Sequence, residues 1–230
     1  MTDNELQARR RKTATRVDDA YRRLKSEILG NRMAPGFQAT EPEIAAMLAM
    51  SRTPVREALI RLEGEGLVTL IPRHGARVLP VAAEDMREIY QILTALEPED
   101  AADVAASRPD EAALGPLAAA TEEMQAALDR GDLDAWAGAD DRFHRNLLAL
   151  SPNRRLADFV NTLFDQAHRA RLITLRLRAA PNRSTAEHRR ILEALAAGDA
   201  PKTRKLFRSH RERAADELLS ILSVSGLSNL

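Results

Sequence analysis

The stretch Thr40-Glu41-Pro42-Glu43-Ile44-Ala45-Ala46-Met47-Leu48-Ala49-Met50-Ser51-Arg52-Thr53-Pro54-Val55-Arg56-Glu57-Ala58-Leu59 decides the fold. Thr40 and Glu43 have capping-box spacing, in which a hydroxyl and a carboxylate each satisfy a free amide at the start of a helix. A short helix carrying Ile44, Ala45 and Leu48 is predicted to follow. Ala49-Met50-Ser51 then supplies a turn of the length used between the helices of a helix-turn-helix. Ser51 can cap the next helix, and Pro54 falls in its first turn, where a missing N–H costs nothing because that amide has no intrahelical partner. Val55, Leu59 and Leu62 share one face of that helix, which runs out near Gly64 to Gly66.

Outward from this core the pattern extends in both directions. Upstream, Tyr21, Leu24, Ile28 and Leu29 recur at helical spacing from Val17 and stop at Gly30-Asn31, both suited to a left-handed helix end. Downstream, the β-prone runs 67–71 and 76–79 flank Pro72-Arg73-His74-Gly75, which predicts a hairpin. Residues 17–80 are therefore expected to form a winged helix-turn-helix with a small β-hairpin. Residues 1–16, with Arg9, Arg10, Arg11 and Lys12 and few apolar positions, are expected to be a flexible basic arm. Over residues 81–230, Ala and Leu recur at three and four residues with breaks at Arg108-Pro109, Gly131-Asp132, Ser151-Pro152, Ala180-Pro181 and Gly198 to Pro201. This implies six helices sharing a core and no strand, so the chain is read as mainly α, with a C-terminal all-α bundle.

Composition narrows the chemistry. The 230 residues contain no cysteine, which excludes disulfides, iron–sulfur clusters, cysteine-ligated zinc and a thiol nucleophile. No oxidising compartment is needed, and a cytoplasmic location is the simplest expectation. No apolar run approaches the roughly eighteen residues of a membrane span, and Met1 to Arg10 lack the apolar segment of a signal peptide, so no membrane partner is expected. The 34 basic and 34 acidic residues cancel, but not evenly along the chain. Residues 1–80 hold 14 Lys or Arg and 10 Asp or Glu, 14 − 10 = +4, which leaves 20 − 24 = −4 for residues 81–230. A mildly basic first segment suits a polyanionic partner.

The helix that begins Ser51-Arg52-Thr53-Pro54-Val55-Arg56 places two guanidinium groups four residues apart on one face, beside a small hydroxyl. Arginine can donate two parallel hydrogen bonds to O6 and N7 of guanine, and base contacts usually come from the first turns of a recognition helix. Arg73, His74 and Gly75 form the hairpin tip, thin enough to enter a minor groove. In the second half, Asp140 and His144 project from one helical face one turn apart, the spacing with which a carboxylate and an imidazole share a metal. His188 and His210 fall on other helices of the bundle. Three imidazoles and a carboxylate suit Zn²⁺, Ni²⁺ or another divalent transition ion and leave coordination positions open. Histidines scattered over helices are, on the residues alone, more often surface or satisfied core positions than ligands.

The run from Glu43-Ile44-Ala45 through Ser51-Arg52-Thr53-Pro54-Val55-Arg56-Glu57-Ala58-Leu59 to Arg73-His74-Gly75-Ala76 resembles the DNA-binding domain of GntR-type bacterial transcription regulators. The resemblance implies that Arg52, Thr53 and Arg56 contact bases or phosphates, with His74 and Gly75 at the wing tip. Some members carry a further arginine where this chain has Pro42. Residues from about Glu84 to Arg211 resemble the all-helical FCD effector domain of the FadR subfamily, through Asp140-Asp141-Arg142-Phe143-His144, Glu187-His188, Ile191-Leu192-Glu193-Ala194, Gly198-Asp199 and His210. Many FCD domains hold a divalent metal, so the resemblance implies Asp140, His144, His188 and His210 as ligands, with Asp141 as the alternative to Asp140. FCD domains also commonly carry an effector-holding arginine four residues before the glutamate of their first helix. Here Glu97 is preceded at that distance by Leu93, which leaves Arg169 and Arg171 as replacement candidates and His168 as either a pocket or a surface residue. Arginines on so charged a helix are more often solvated.

The function expected is that of a transcription regulator, a repressor in sign, which binds a palindromic operator as a homodimer through residues 17–80. Residues 81–230 would supply dimer contacts and a metal site where a small carboxylate effector binds. Two rivals have distinct signatures. A regulator with a purely structural metal would lack effector dependence. A metal-dependent hydrolase would need a general base, and Glu187, next to His188, is expected to point elsewhere on its helix.

Overall fold

The computed structural model describes residues 3–224, which divide into two compact units meeting in sequence at Pro80/Val81. In the first unit, α1 (Asp3–Leu29), β1 (Gln38–Ala39), α2 (Glu41–Leu48), α3 (Arg52–Gly64), β2 (Val68–Ile71) and β3 (Gly75–Val78) form a winged helix-turn-helix. The capping box at Thr40 is formed: Glu43 N–H donates to the Thr40 hydroxyl, and the Thr40 N–H donates to the Glu43 carboxylate at 2.8 Å. Ala49 closes α2 in the left-handed region, so the chain turns sharply into α3. Ser51 has the extended backbone of a cap, but its side chain bonds no amide. Leu24 and Ile28 of α1, Ile44 and Leu48 of α2, and Val55, Leu59 and Leu62 of α3 share one apolar core with Val68 and Val78 of the hairpin.

Two expectations change. The stretch read as an arm, residues 1–16, is helical from Asp3 onward, so α1 does not begin at Val17. Apolar periodicity marks only the part of a helix that packs, whereas Glu5, Leu6, Gln7, Ala8 and the Arg9–Lys12 run are all good helix formers with no glycine or proline to stop them. The hairpin also gains a third strand: β1 pairs antiparallel with β3, Gln38 opposite Arg77 and Ala39 opposite Ala76, in the order β1-β3-β2. Two residues are too short for a period-two signal. The third strand explains Gly75: its φ is +84°, and a Cβ there would lie 2.0 Å from the Ala39 carbonyl oxygen. Only glycine lets the wing pass this close to β1.

The second unit is all-helical: α4 (Ala83–Ala106), α5 (Glu111–Asp129), α6 (Leu133–Ala149), α7 (Arg154–Thr174), a 3₁₀ turn (Leu175–Leu177), α8 (Asn182–Ala196) and α9 (Ala200–Val224). Asp110, Asp132 and Asn153 cap α5, α6 and α7 through their side chains, which is why the breaks read from sequence fall at helix boundaries. One apolar cluster centres on Trp136, Phe143 and Phe207, and a second on Met86, Leu93 and Phe164. The Trp136 indole N–H donates to the Thr185 hydroxyl at 2.9 Å, tying α6 to α8. No helix among the described residues is long and apolar enough to cross a membrane.

Candidate DNA interface and metal centre

Arg52, Thr53 and Arg56 all lie exposed on the outer face of α3, opposite the buried Val55, Ala58 and Leu59. Arg56 keeps most of its side chain in solvent, with Nε 3.8 Å from the Glu41 carboxylate. Arg73 and His74 are exposed at the wing tip, where Arg73 adopts φ +66° and His74 Nδ1 lies 3.0 Å from the Pro72 carbonyl oxygen. A groove of about 530 Å³ runs between α3 and the wing, lined by Pro42, Arg52, Arg56 and Arg73 among others. Helix start and wing tip therefore share one cationic concavity. Arg77 of β3, absent from the sequence candidates, extends that edge: its Nε donates to Gln38 Oε1 at 3.0 Å, and Gln38 in turn donates to the His74 carbonyl at 3.4 Å. Only the pairing of β1 with β3 brings Gln38 beside Arg77, so nothing in the local pattern pointed to it.

The helical unit gathers its histidines from three helices. His144 of α6, His188 of α8 and His210 of α9 are 3%, 0% and 3% exposed, and one nitrogen from each lies within 4.8 Å of the others. His144 Nε2 and His188 Nε2 are 3.2 Å apart, a separation that two ligands of one small cation can adopt. His210 Nδ1 lies 2.8 Å from Glu187 Oε2, which fixes its tautomer and leaves Nε2 free on the other edge of the ring. Burial keeps all three imidazoles neutral: it pushes His144 well below its ordinary range, His188 to about 3 and His210 downward, and the nearby guanidinium of Arg211 acts in the same direction on each. Neutral, buried, mutually facing imidazoles are the form a divalent transition ion requires, so the residues fit such an ion.

The carboxylates divide differently from the sequence reading. Asp140 sits beside the histidines, Oδ1 3.7 Å from His188 Nε2, while its Oδ2 accepts from Arg171. Burial would raise its pKa, but the guanidinium of Arg171, with that of Arg211, outweighs this and holds it ionised. Asp141, the second carboxylate considered, is turned to Arg145 at 2.7 Å, whose other nitrogens take Asn161 and Asp165. Glu187 does not point elsewhere. It accepts from His210 and from Arg213, and although burial opposes ionisation these bonds hold it at about 2. A carboxylate so committed orients the His210 imidazole and is unsuited to act as a general base.

The arginine candidates are not solvated. Arg169 is 2% exposed and its Nε and Nη2 find no hydrogen-bond partner among the described residues, so desolvation lowers it to about 10. Arg171 is buried against Asp140, and that carboxylate, with Tyr90, more than reverses the effect of burial and strengthens its charge. His168 is half-buried, its Nδ1 3.8 Å from Asp141 Oδ1, outside the histidine group. Leu93, where the resemblance implies an arginine, is fully buried in an apolar cluster. A guanidinium nevertheless meets Glu97. It comes from α9, where Arg211, 1% exposed, donates through Nη2 to Glu97 Oε1 at 2.6 Å. The sequence reading missed Arg211, because only the packing of α4 along α9 brings positions 114 residues apart together.

Comparison with known proteins agrees with this division. Residues 16–78 match the family described as bacterial regulatory proteins of the gntR family, and residues 88–213 match the FCD domain. A helix-turn-helix transcriptional regulator, uncharacterised, in the TAR-I ttuE-ttuC' intergenic region of Agrobacterium vitis is 45% identical over 60% of this chain and 81% of its own. The transcriptional repressor RspR of Escherichia coli strain K12 is 27% identical over 87% of this chain and 88% of its own. Among solved structures, E. coli McbR/YncC superposes with a TM-score of 0.77 at 23% identity, covering 89% of this chain and 97% of that one.

Proposed function

Because the chain belongs to the GntR family of bacterial regulatory proteins and carries an FCD domain, it is a DNA-binding transcription regulator and not an enzyme, and we propose that it is a metal-dependent, effector-responsive repressor. The observation that carries this reading is the closed set of three neutral imidazoles inside the helical unit of a chain whose other unit is a winged helix. In this proposal Arg52, Thr53 and Arg56 read the major groove, while Arg73, His74 and Gly75 follow the wing toward the backbone or minor groove. A homodimer presents two such helices to a palindromic operator, in the cytoplasm where a bacterial chromosome lies. The similarity to RspR, a repressor by name, supports repression as the sign.

His144, His188 and His210 would hold a divalent ion such as Zn²⁺ or Ni²⁺, with Asp140 adjacent, and the ion would supply an open Lewis-acid position for an effector carboxylate. Glu187 orients His210, and Arg171 keeps Asp140 ionised beside the cluster. His168 and Arg169 lie three and two residues before Arg171 on α7, and Arg171 is the member of that trio whose guanidinium meets Asp140. The effector shifts operator affinity only by preferring one conformation of the protein over another. The test is fluorescence anisotropy of the operator upstream of the chain's own gene cluster, with metal-free and Zn²⁺-loaded protein and a panel of small carboxylates. Release by a carboxylate only when Zn²⁺ is present supports the reading. Release that persists after chelation, or a site that never takes close to one ion per chain, overturns its metal part.

A further inference from the structure

We infer that Arg211 is a latch between the metal site and its anion: its bond to His144 opposes metal binding, and metal binding frees it to hold a carboxylate. The inference rests on the metal reading above and concerns how that site is regulated. Arg211 Nη2 lies 3.0 Å from His144 Nδ1 and 2.6 Å from Glu97 Oε1. A guanidinium can only donate, so His144 Nδ1 accepts, and a neutral imidazole that accepts at Nδ1 carries its proton on Nε2. That proton then points to His188 Nε2, 3.2 Å away, as a donor to an acceptor. Arg211 therefore holds His144 in the tautomer that cannot ligate through Nε2.

For the facing nitrogens of His144 and His188 to take one cation, the proton of His144 has to move from Nε2 to Nδ1. The exchange releases no net proton from that ring. It sets an N–H of His144 against an N–H of Arg211, two donors with no acceptor between them. Glu97 Oε1, 3.7 Å from Nδ1, is the acceptor at hand, and its other oxygen remains 2.6 Å from Arg211 Nε. The carboxylate thus takes over the imidazole while keeping the guanidinium tethered, and one N–H of Nη2 is released beside the ion. A carboxylate arriving at the metal finds that donor unoccupied. Leu93, buried and apolar, supplies no guanidinium from α4, and the one at Glu97 comes from the helix that carries His210.

The latch has three measurable consequences in the full chain. In the metal-free protein, ¹⁵N-histidine correlation spectra should show His144 protonated at Nε2, and addition of Zn²⁺ should move the proton to Nδ1. Arg211→Met should bind Zn²⁺ about tenfold more tightly by calorimetry, since no latch has to be broken. Acetate should bind the Zn²⁺-loaded wild type about tenfold more tightly than the loaded variant. A metal-free wild type already protonated at Nδ1 overturns the latch, and this reading needs no variant to fold. Equal acetate affinities overturn the anion role of Arg211. Absence of any Zn²⁺ binding overturns the metal reading and the latch together, whereas normal Zn²⁺ binding with the unexpected tautomer overturns the latch alone.

Discussion

Arginine does opposite work in the two units. On α3 and the wing, Arg52, Arg56 and Arg73 stand in solvent, and Arg56 has only a distant carboxylate at 3.8 Å, so their donors remain available to an outside partner. In the helical unit Arg171 and Arg211 are buried against Asp140 and Glu97, and each guanidinium is already committed to a carboxylate of the protein. An exposed ion pair contributes about 0–1 kcal/mol, whereas removing one member of a buried pair leaves an uncompensated charge and costs about 3–5 kcal/mol. The first set therefore serves recognition at little cost to the fold. The second builds a charged interior whose members are coupled to one another.

The strongest way to break this contrast is to remove the exposed pair. Arg52→Ala with Arg56→Ala should weaken operator binding about a hundredfold or more, from ~1–3 kcal/mol per bidentate base contact, with little change in melting temperature. Unchanged anisotropy titrations at fixed salt would dissolve the distinction. Next in size is the brace of the buried set. Glu187→Gln should lower Zn²⁺ affinity about 10–100-fold by calorimetry, with operator affinity of the effector-free protein unaltered. A fall in both would mean that the units do not divide the labour.

How far this contrast was legible in the sequence follows from the same physics. The exposure of Arg52 and Arg56 could be read locally, because Val55, Ala58, Leu59 and Leu62 fix which face of α3 is buried. Helix boundaries at Asp110, Asp132 and Asn153 were legible for the same reason, each being a cap beside its own helix. The convergence of His144, His188 and His210 was suggested by a family pattern, yet its partners were not. Glu187 turning to His210 and Arg211 reaching Glu97 are contacts between helices, decided by rotation and packing that no helical period encodes, whereas Asp141 turning to Arg145 is an i,i+4 pair within α6. The two-residue strand Gln38–Ala39 escaped for a simpler reason: its evidence lies in the partner strand.

Smaller effects sharpen the comparison. Asp100 of α4 is buried and raised to about 6 by desolvation, against the pull of a hydrogen bond from Ser151. An acid whose folded value exceeds its unfolded one favours the native state when protonated, so stability is lost as pH rises from about 4 through about 6. Asp100→Asn should therefore melt about 2–4 °C higher than wild type at pH 7.5, a gain of about 1 kcal/mol, with the difference vanishing below pH 4. A variant that is less stable at pH 7.5 would show Asp100 to be needed as an anion. The smallest effect is expected at the wing: Arg73→Ala should reduce the slope of log affinity against log salt by about one, with less than a tenfold change at low salt. An unchanged slope would place Arg73 off the phosphate backbone.

The hydrogen bond between the Trp136 indole and the Thr185 hydroxyl was introduced as a tie between α6 and α8. Trp136 is the chain's single tryptophan, and the two helices it joins are those that carry His144 and His188. The protein thus contains its own optical probe: any shift of α6 against α8 on ion or effector binding alters the surroundings of one identified fluorophore, and emission titrations of the unlabelled chain can follow the site directly.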